Sequence, residues 1–298
     1  MFVITGASGN NGSKVSGILL SQGEEVRVVA RNPEKLQDLV KRGAEAAVGD
    51  LKDTGFLTSV FAGATAVFVM IPPDYHAVDF RAYQNKIGES IGAAIRNSGI
   101  KYVVNLSSQG AELSEGTGPV KGLHDQEERL NKLEGINILH VRPTYYMENL
   151  FMFIPMIKTM NIAGSAIKGE LKFAMIATTD IAAFVAERLL KRDFAGKSVR
   201  GLLGQRDVSL NEAIEIIGRK IANPDLKYVQ FSYEEAGKGL VAAGLSEDVS
   251  GLFIEMSRAI NEGLFAVNIP RTKDNTTGTS IEEFSETFAK IYFSLYPT

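Results

Sequence analysis

The 298-residue sequence contains no cysteine, and that absence alone excludes disulfides and every form of thiolate chemistry. A chain of this kind is expected in a reducing cytoplasm. Histidine is scarce as well, with only His76, His124 and His140. Without a thiol beside them they form no cluster at metal-ligand spacing, so no metal centre is expected. Charge of one sign is also missing: 32 Lys and Arg stand against 35 Asp and Glu, a net charge of −3. With no basic run either, the electrostatic footprint of a nucleic-acid binder is lacking. The most apolar late stretch, 145–164, is interrupted by Glu148, Asn149, Pro155 and Lys158 and reads poorly as a membrane span. The first strand opens at Phe2, which leaves the expectation of no signal or transit peptide. Internal repeats and low-complexity tracts are lacking too. Chemistry then has to come from a bound organic cofactor or from ordinary polar side chains.

What the chain does have is an ordered beginning. Phe2-Val3-Ile4-Thr5 is a short apolar, β-branched run that ends in Gly6-Ala7-Ser8-Gly9-Asn10-Asn11-Gly12. A helix is expected over Ser13–Ser21, then a stop at Gly23 and a second strand over Glu25–Arg31. Strand, glycine turn, helix and strand within about thirty residues make one βαβ unit. Gly6 lets the chain turn tightly, Gly9 leaves room for a pyrophosphate, and Gly12 lets the helix pack closely. The free amides and positive end of the helix then face the phosphates, with Ser8, Asn10 and Asn11 lining the turn. The spacing is GxxGxxG, and its position between strand and helix is what makes it a dinucleotide-site candidate.

The alternation continues. Helices are expected over 33–42, 52–62, 78–97 and 123–133, and strands over 44–48, 66–71, 101–106 and 137–141. Ala66–Ile71 shows no polar alternation, the mark of a strand buried on both faces. Alternating strands and helices indicate an α/β fold, a doubly wound parallel sheet of the Rossmann type. Its ligand crevice is expected at the carboxyl ends of the strands. Beyond Pro143 the regularity weakens. We expect an apolar helix over 149–161 interrupted near Pro155, and a helix over 181–191 capped by Thr179-Asp180. A strand of the main sheet is expected over 198–203, and a capping box at Ser209-Leu210-Asn211-Glu212. A strand over 227–231 and two or three helices follow, the last over 281–295. The expected division is a dinucleotide-binding domain, 1–150 plus about 179–205, and a smaller, mostly helical one, about 151–178 and 206–298.

Arg31 stands where an NAD-preferring site usually carries an acid for the ribose 2′-hydroxyl. A guanidinium there can bind a 2′-phosphate through two charge-assisted bonds, each worth roughly 1.5–3 kcal/mol. This selects NADP(H) over NAD(H). A solvated arginine at a strand end is the plainer alternative. Asp50 and Leu51 follow strand three beside the expected adenine position, where Asp50 could instead cap the next helix. Met70, Ile71 and Pro72 end strand four, along the path of the nicotinamide ribose. Ser107 and Ser108 end strand five, where short-chain reductases place a serine. Their Tyr-x-x-x-Lys pair is lacking, for the nearest match is Thr117-Gly118-Pro119-Val120-Lys121. Threonine cannot replace a phenol as an acid, and Gly-Pro breaks the helix that should carry it. His124, at the start of the next helix, is the candidate proton donor or ribose partner, or else a helix cap. His140 lies in an apolar strand and reads as a core histidine, and His76 as a loop residue. Tyr145, Tyr146 and Asn149 lie beyond strand six as candidate substrate contacts.

The motifs Thr5–Gly12, Val29–Pro33, Gly49-Asp50-Leu51, Leu106-Ser107-Ser108, Val141-Arg142-Pro143 and Met147–Leu150 resemble the NmrA-like branch of the atypical short-chain dehydrogenases/reductases. The resemblance covers roughly the first 200 residues. It implies NADP(H) binding and one of two activities. One is NADPH-dependent reduction of a quinone or other small conjugated carbonyl, with His124 where the family's reductases place an assisting residue. The other is a non-catalytic redox sensor acting through a protein partner. A sugar-nucleotide epimerase is a weaker third reading, because that chemistry relies on the missing tyrosine. A small-molecule substrate is expected, with no membrane association. A homodimer or a protein partner stays open.

Overall fold

The computed structural model describes residues 1–265 and 269–296. Phe2, Val3 and Ile4 are all buried, and they form β1 (Phe2–Ile4) at the interior of a parallel sheet. The chain then builds α1 (Asn10–Ser21), β2 (Val26–Ala30), a 3-10 turn over Pro33–Leu36 with α2 (Gln37–Lys41), and β3 (Glu45–Val48). α3 (Thr54–Phe61), β4 (Ala66–Val69), α4 (Phe80–Ser98), β5 (Tyr102–Leu106), α5 (Lys121–Asn131) and β6 (Asn137–Pro143) follow. After the two-residue β7 (Tyr145–Tyr146) come a 3-10 turn over Met147–Phe153, α6 (Ile154–Met160), β8 (Ile162–Ser165) and β9 (Lys172–Ile176). The remainder is α7 (Thr178–Lys191), β10 (Lys197–Leu202), β11 (Asp207–Ser209), α8 (Leu210–Lys220), β12 (Lys227–Gln230), α9 (Tyr233–Ala242), α10 (Glu247–Asn261) and α11 (Ile281–Leu295).

Seven parallel strands form the main sheet in the order β10-β6-β5-β4-β1-β2-β3. The chain leaves β1 toward β2 and β3, then crosses to β4 on its other side. This reversal opens a crevice above β1 and β4, and the glycine turn sits at its mouth. Apolar side chains of α1 and α7, among them Val15, Leu19, Ile181 and Val185, cover one face of the sheet. α3, α4 and α5 cover the other through Leu57, Phe61, Ile87, Ile91, Ile95 and Leu130. A separate core is drawn from the 147–157 stretch, β9, α8 and α11, with Leu150, Met175, Ile214, Ile217 and Phe288 at its centre.

Several boundaries differ from expectation. α1 begins at Asn10, so Gly12 lies inside its first turn. β4 ends at Val69 because the Met70 N–H turns to donate to Thr5 Oγ1 at 3.2 Å. Thr179-Asp180 does not cap α7: its N-cap is Ala177, and Glu148 accepts from the Thr178 N–H instead. Ser209 accepts from the Glu212 N–H, but the Glu212 carboxylate pairs with Arg206, so only half the capping box forms. Outside the main sheet, β7, β8, β9 and β11 are strands that local pattern did not reveal, whereas β12 falls within the strand expected over 227–231. β11, β9 and β7 form one small sheet, and β12 pairs with β8 in another. Among the described residues no helix is long and apolar enough to cross a membrane.

Candidate functional site

Gly6 takes a left-handed backbone with φ of 62°, and a Cβ there would come within 2.6 Å of the Met70 sulfur. The end of β4 is therefore seated directly on the turn. At Gly12 a Cβ would lie 2.7 Å from the Gly6 carbonyl carbon, so the helix rests on the turn's own backbone. Gly9 differs: a Cβ there would meet only the Gly6 carbonyl oxygen at 3.4 Å, leaving its outer face open. Gly9 is also the N-cap of α1, with no side-chain cap and no acidic residue in the first turn. The first α1 amide to bond back is that of Ser13, to Gly9 O at 3.0 Å. The amides of Asn10, Asn11 and Gly12 are thus left to an outside acceptor, which fits a pyrophosphate. By contrast α3, α4, α8, α9, α10 and α11 are each capped by an Asp or Ser side chain. Ser8 and Asn10 are exposed at the mouth, whereas Asn11 is buried with its Oδ1 unpartnered.

On the β2–β3 side, Arg31 follows the last residue of β2 and is exposed. Among the described residues its guanidinium meets no carboxylate within 4.0 Å. Asn32 Oδ1 accepts from the Glu34 N–H at 2.8 Å and starts the next turn. Asp50 is exposed and accepts from the Lys52 N–H at 2.9 Å. It does not cap α3, a task that Asp53 performs on the Phe56 N–H. Leu51 is packed into the core with Val29 and Leu57 rather than set out as an open platform for a ring. Ile71 is buried in the same core. Pro72 offers its carbonyl to the Tyr83 hydroxyl at 3.1 Å.

Over β5 and β6 the polar residues are more committed than their order in the chain suggests. Ser107 is buried and donates its hydroxyl hydrogen to Glu127, a carboxylate only 3% exposed. Arg142 grips both oxygens of Glu127, at 3.0 and 2.6 Å, and reaches Glu112 at 3.0 Å. Burial alone would lower the Arg142 pKa, and the bonds to Glu127 outweigh it and hold it above its ordinary value. The Ser107 hydroxyl hydrogen is thus engaged by Glu127 rather than free. Ser108 is half-buried and donates to Gln109 O at 3.0 Å. His124 Nδ1 lies 2.9 Å from the Ala111 carbonyl, an oxygen that can only accept. Nδ1 therefore carries a hydrogen, and Nε2 is left free of protein partners among the described residues. Gln109 Nε2 donates to Phe265 O, so the second lobe reaches the serine loop.

Successive side chains of a strand point to opposite faces, and this separates the two tyrosines. Tyr145 turns into the second lobe, edge-on to Phe173 with centroids 5.2 Å apart. Tyr146 packs against the nucleotide-lobe core beside Asn11. Burial pushes the phenol pKa of both upward, and for Tyr146 the Glu148 charge adds to this while the Asn11 contact opposes it. Tyr145 thus packs against the second core while staying half-buried. Asn149 is half-buried on the 3-10 turn after β7. Residues that local reading did not single out include Glu127 and Lys14. Lys14, one turn into α1, donates to Thr178 Oγ1 at 2.6 Å and lies 3.9 Å from Glu148. Burial lowers its pKa, with Glu148 acting the other way. Among the described residues no group of His, Cys, Asp and Glu could hold a metal ion.

Comparison with known proteins gives full-length likeness. The chain is 24% identical to the NAD(P)H azoreductase of Xenophilus azovorans, covering 99% of each chain. It is 26% identical to quinone oxidoreductase 2 of Escherichia coli strain K12, over 88% of this chain and 89% of that one. The crystal structure of the Escherichia coli NADPH-dependent quinone oxidoreductase with NADPH superposes with a TM-score of 0.80 at 20% identity, covering 97% of this chain and 99% of that one. The NmrA-like family model matches residues 1–285, and the chain belongs to that family.

Proposed function

We propose that the protein is an NADPH-dependent oxidoreductase that reduces a quinone or another small conjugated acceptor. The observation that carries this reading is the uncapped start of α1, with Gly9 open above it. The azoreductase and quinone oxidoreductase likenesses along the whole chain support a reductase on that scaffold. In this reading the amides of Asn10, Asn11 and Gly12 hold the pyrophosphate, Ser8 lines it, and Arg31 takes the 2′-phosphate. Met70, Ile71 and Pro72 bound the cofactor's path, and Asp50 flanks the adenine. The bound nicotinamide supplies a hydride. The acceptor enters between the nucleotide lobe and the lobe built from about 151–178 and 206–298.

Reduction of a quinone to a hydroquinone also consumes one proton beyond the hydride. Ser107 has given its hydrogen to Glu127, which leaves Ser108 to orient the substrate oxygen and His124 to protonate it. Because Nδ1 is already the hydrogen-bearing atom, Nε2 can donate only when the ring is imidazolium. His124→Ala should therefore lower kcat about a hundredfold with the cofactor still bound. The scarcity of free hydroxyl donors also favours a second reading, a sensor that binds NADP(H) and reports through a protein partner. Titration with NADPH and NADH, followed by turnover on a quinone panel, separates the two. We expect NADPH to bind about ten- to a hundredfold tighter than NADH and to be consumed only with quinone. Tight binding without consumption on any acceptor would favour the sensor, and no binding would overturn both readings.

A further inference from the structure

Arg31 shares its corner of the crevice with a residue from the next loop. Lys52 lies in the turn between β3 and α3, and its Nζ stands 4.8 Å above the centre of the Tyr83 ring. Tyr83 is fixed: its hydroxyl donates to Pro72 O at 3.1 Å, and its ring stacks on Phe80 with centroids 6.2 Å apart. Phe80 is in turn tied to α10 through its N–H and Asp248 at 2.9 Å. Tyr83 is therefore a rigid seat, and the cation–π contact keeps the Lys52 ammonium from wandering at little cost. Arg31 is close enough to the same ring for its charge to oppose the upward push that burial, Asp74 and Asp50 exert on the Tyr83 pKa. Arg31 and Lys52 follow the ends of β2 and β3, which pair Ala30 with Val48, and neighbouring strands lie about 4.8 Å apart in a sheet.

The charges at this corner explain why one cation is too few. The charges of Asp50 and Asp74 are near enough to help raise the Tyr83 pKa, and each has one oxygen engaged by a backbone N–H of its own turn, that of Lys52 and that of His76. Among the described residues neither Arg31 nor Lys52 is within 4.0 Å of a carboxylate. Arg31 alone would stand against two carboxylates, leaving a net negative corner that repels a dianion. With Lys52 the balance is neutral before a ligand arrives, and the two cations are the groups with donors to spare.

We propose that Lys52, seated on Tyr83, is a second cation for the cofactor's 2′-phosphate and sets the preference for the phosphorylated dinucleotide together with Arg31. This rests on the NADP(H) reading above and deepens it. The probes are adenosine 2′,5′-bisphosphate and 5′-AMP, titrated calorimetrically against the full chain at low and high salt. Wild-type protein should prefer the bisphosphate, with the margin shrinking as salt screens the corner. Lys52→Ala should weaken bisphosphate binding about five- to tenfold and leave 5′-AMP unchanged, and Lys52→Arg should restore most of the loss. Lys52 is exposed, so the substitution leaves folding intact. If Lys52→Ala keeps the full preference, or weakens both probes equally, the second-cation role is overturned while the cofactor reading stands. If wild-type protein itself shows no preference, the NADP(H) reading fails first.

Discussion

Gly9 and Gly12 lie three residues apart, and one added methyl group would affect them in opposite ways. In the first turn of α1 an alanine normally gains up to about 1 kcal/mol over glycine. At Gly12 that gain is lost to a clash with the Gly6 backbone, which has no flexible end to move aside. Gly12→Ala should therefore destabilise the fold by about 1–3 kcal/mol, read as a drop in the urea midpoint. Gly9 has φ of −100°, which alanine adopts freely, and open space outside. Gly9→Ala should keep the wild-type midpoint and weaken NADPH binding at least tenfold, because the methyl occupies the pyrophosphate's approach. Equal NADPH affinity in Gly9→Ala would remove the turn from the cofactor site. Both glycines were legible because a strand, a turn and a helix start are local events. The state of Ser107 was not: its hydrogen goes to a residue 20 positions away that only the packing of α5 on the sheet brings near.

Helix starts show the same limit one level up. α10 and α11 begin with a serine whose hydroxyl accepts from the third amide, and such a signal is written in four consecutive residues. α7 has no such residue, and its first amide is satisfied by Glu148, 30 positions earlier. Glu148 also accepts from the Thr178 hydroxyl, to which Lys14 of α1 donates. One carboxylate thus joins the 3-10 turn after β7 to the start of α7 and to α1. Glu148→Ala would leave the Thr178 amide and hydroxyl without an acceptor in a residue that is fully buried. The expected loss is about 1–3 kcal/mol, with Glu148→Gln intermediate because it keeps an acceptor but not the charge facing Lys14. Urea unfolding of the two variants checks the order, and equal stability of Gln and Ala would show that no hydrogen bond is kept. The short strands of the second lobe were hidden for the same reason. β8, β9 and β11 have three to five residues each and find partners far along the chain.

At the scale of the molecule, the sheet was readable as far as β6 because strand, stop and helix alternate at short range, whereas the crossover from β6 to β10 is interrupted by β7, α6, β8 and β9. The second core has no such rhythm, since it collects side chains from several separated stretches. His140 shows what the sheet does to a titratable group. It is 1% exposed on β6, where Nδ1 accepts from Asn105 Nδ2 at 3.1 Å and Nε2 faces Asn131 Oδ1 at 3.1 Å. That pairing fits the neutral ring with its hydrogen on Nε2, since a protonated Nδ1 would face the Asn105 amide hydrogens. Burial lowers its pKa first of all; Glu127 and Glu128 pull the other way, while Arg142 and Lys197 reinforce the lowering. A histidine whose pKa is lower folded than unfolded binds its proton more readily in the unfolded chain. Its contribution to stability is whole above the unfolded value of about 6.5 and shrinks as pH falls below it. The protein should therefore lose stability between pH 7 and 5, before carboxylates titrate in bulk. His140→Phe should flatten that slope and lower stability at every pH, because Asn105 and Asn131 then lose their partner. A slope unchanged in His140→Phe, measured by urea unfolding across the same range, would assign the acid sensitivity to other groups.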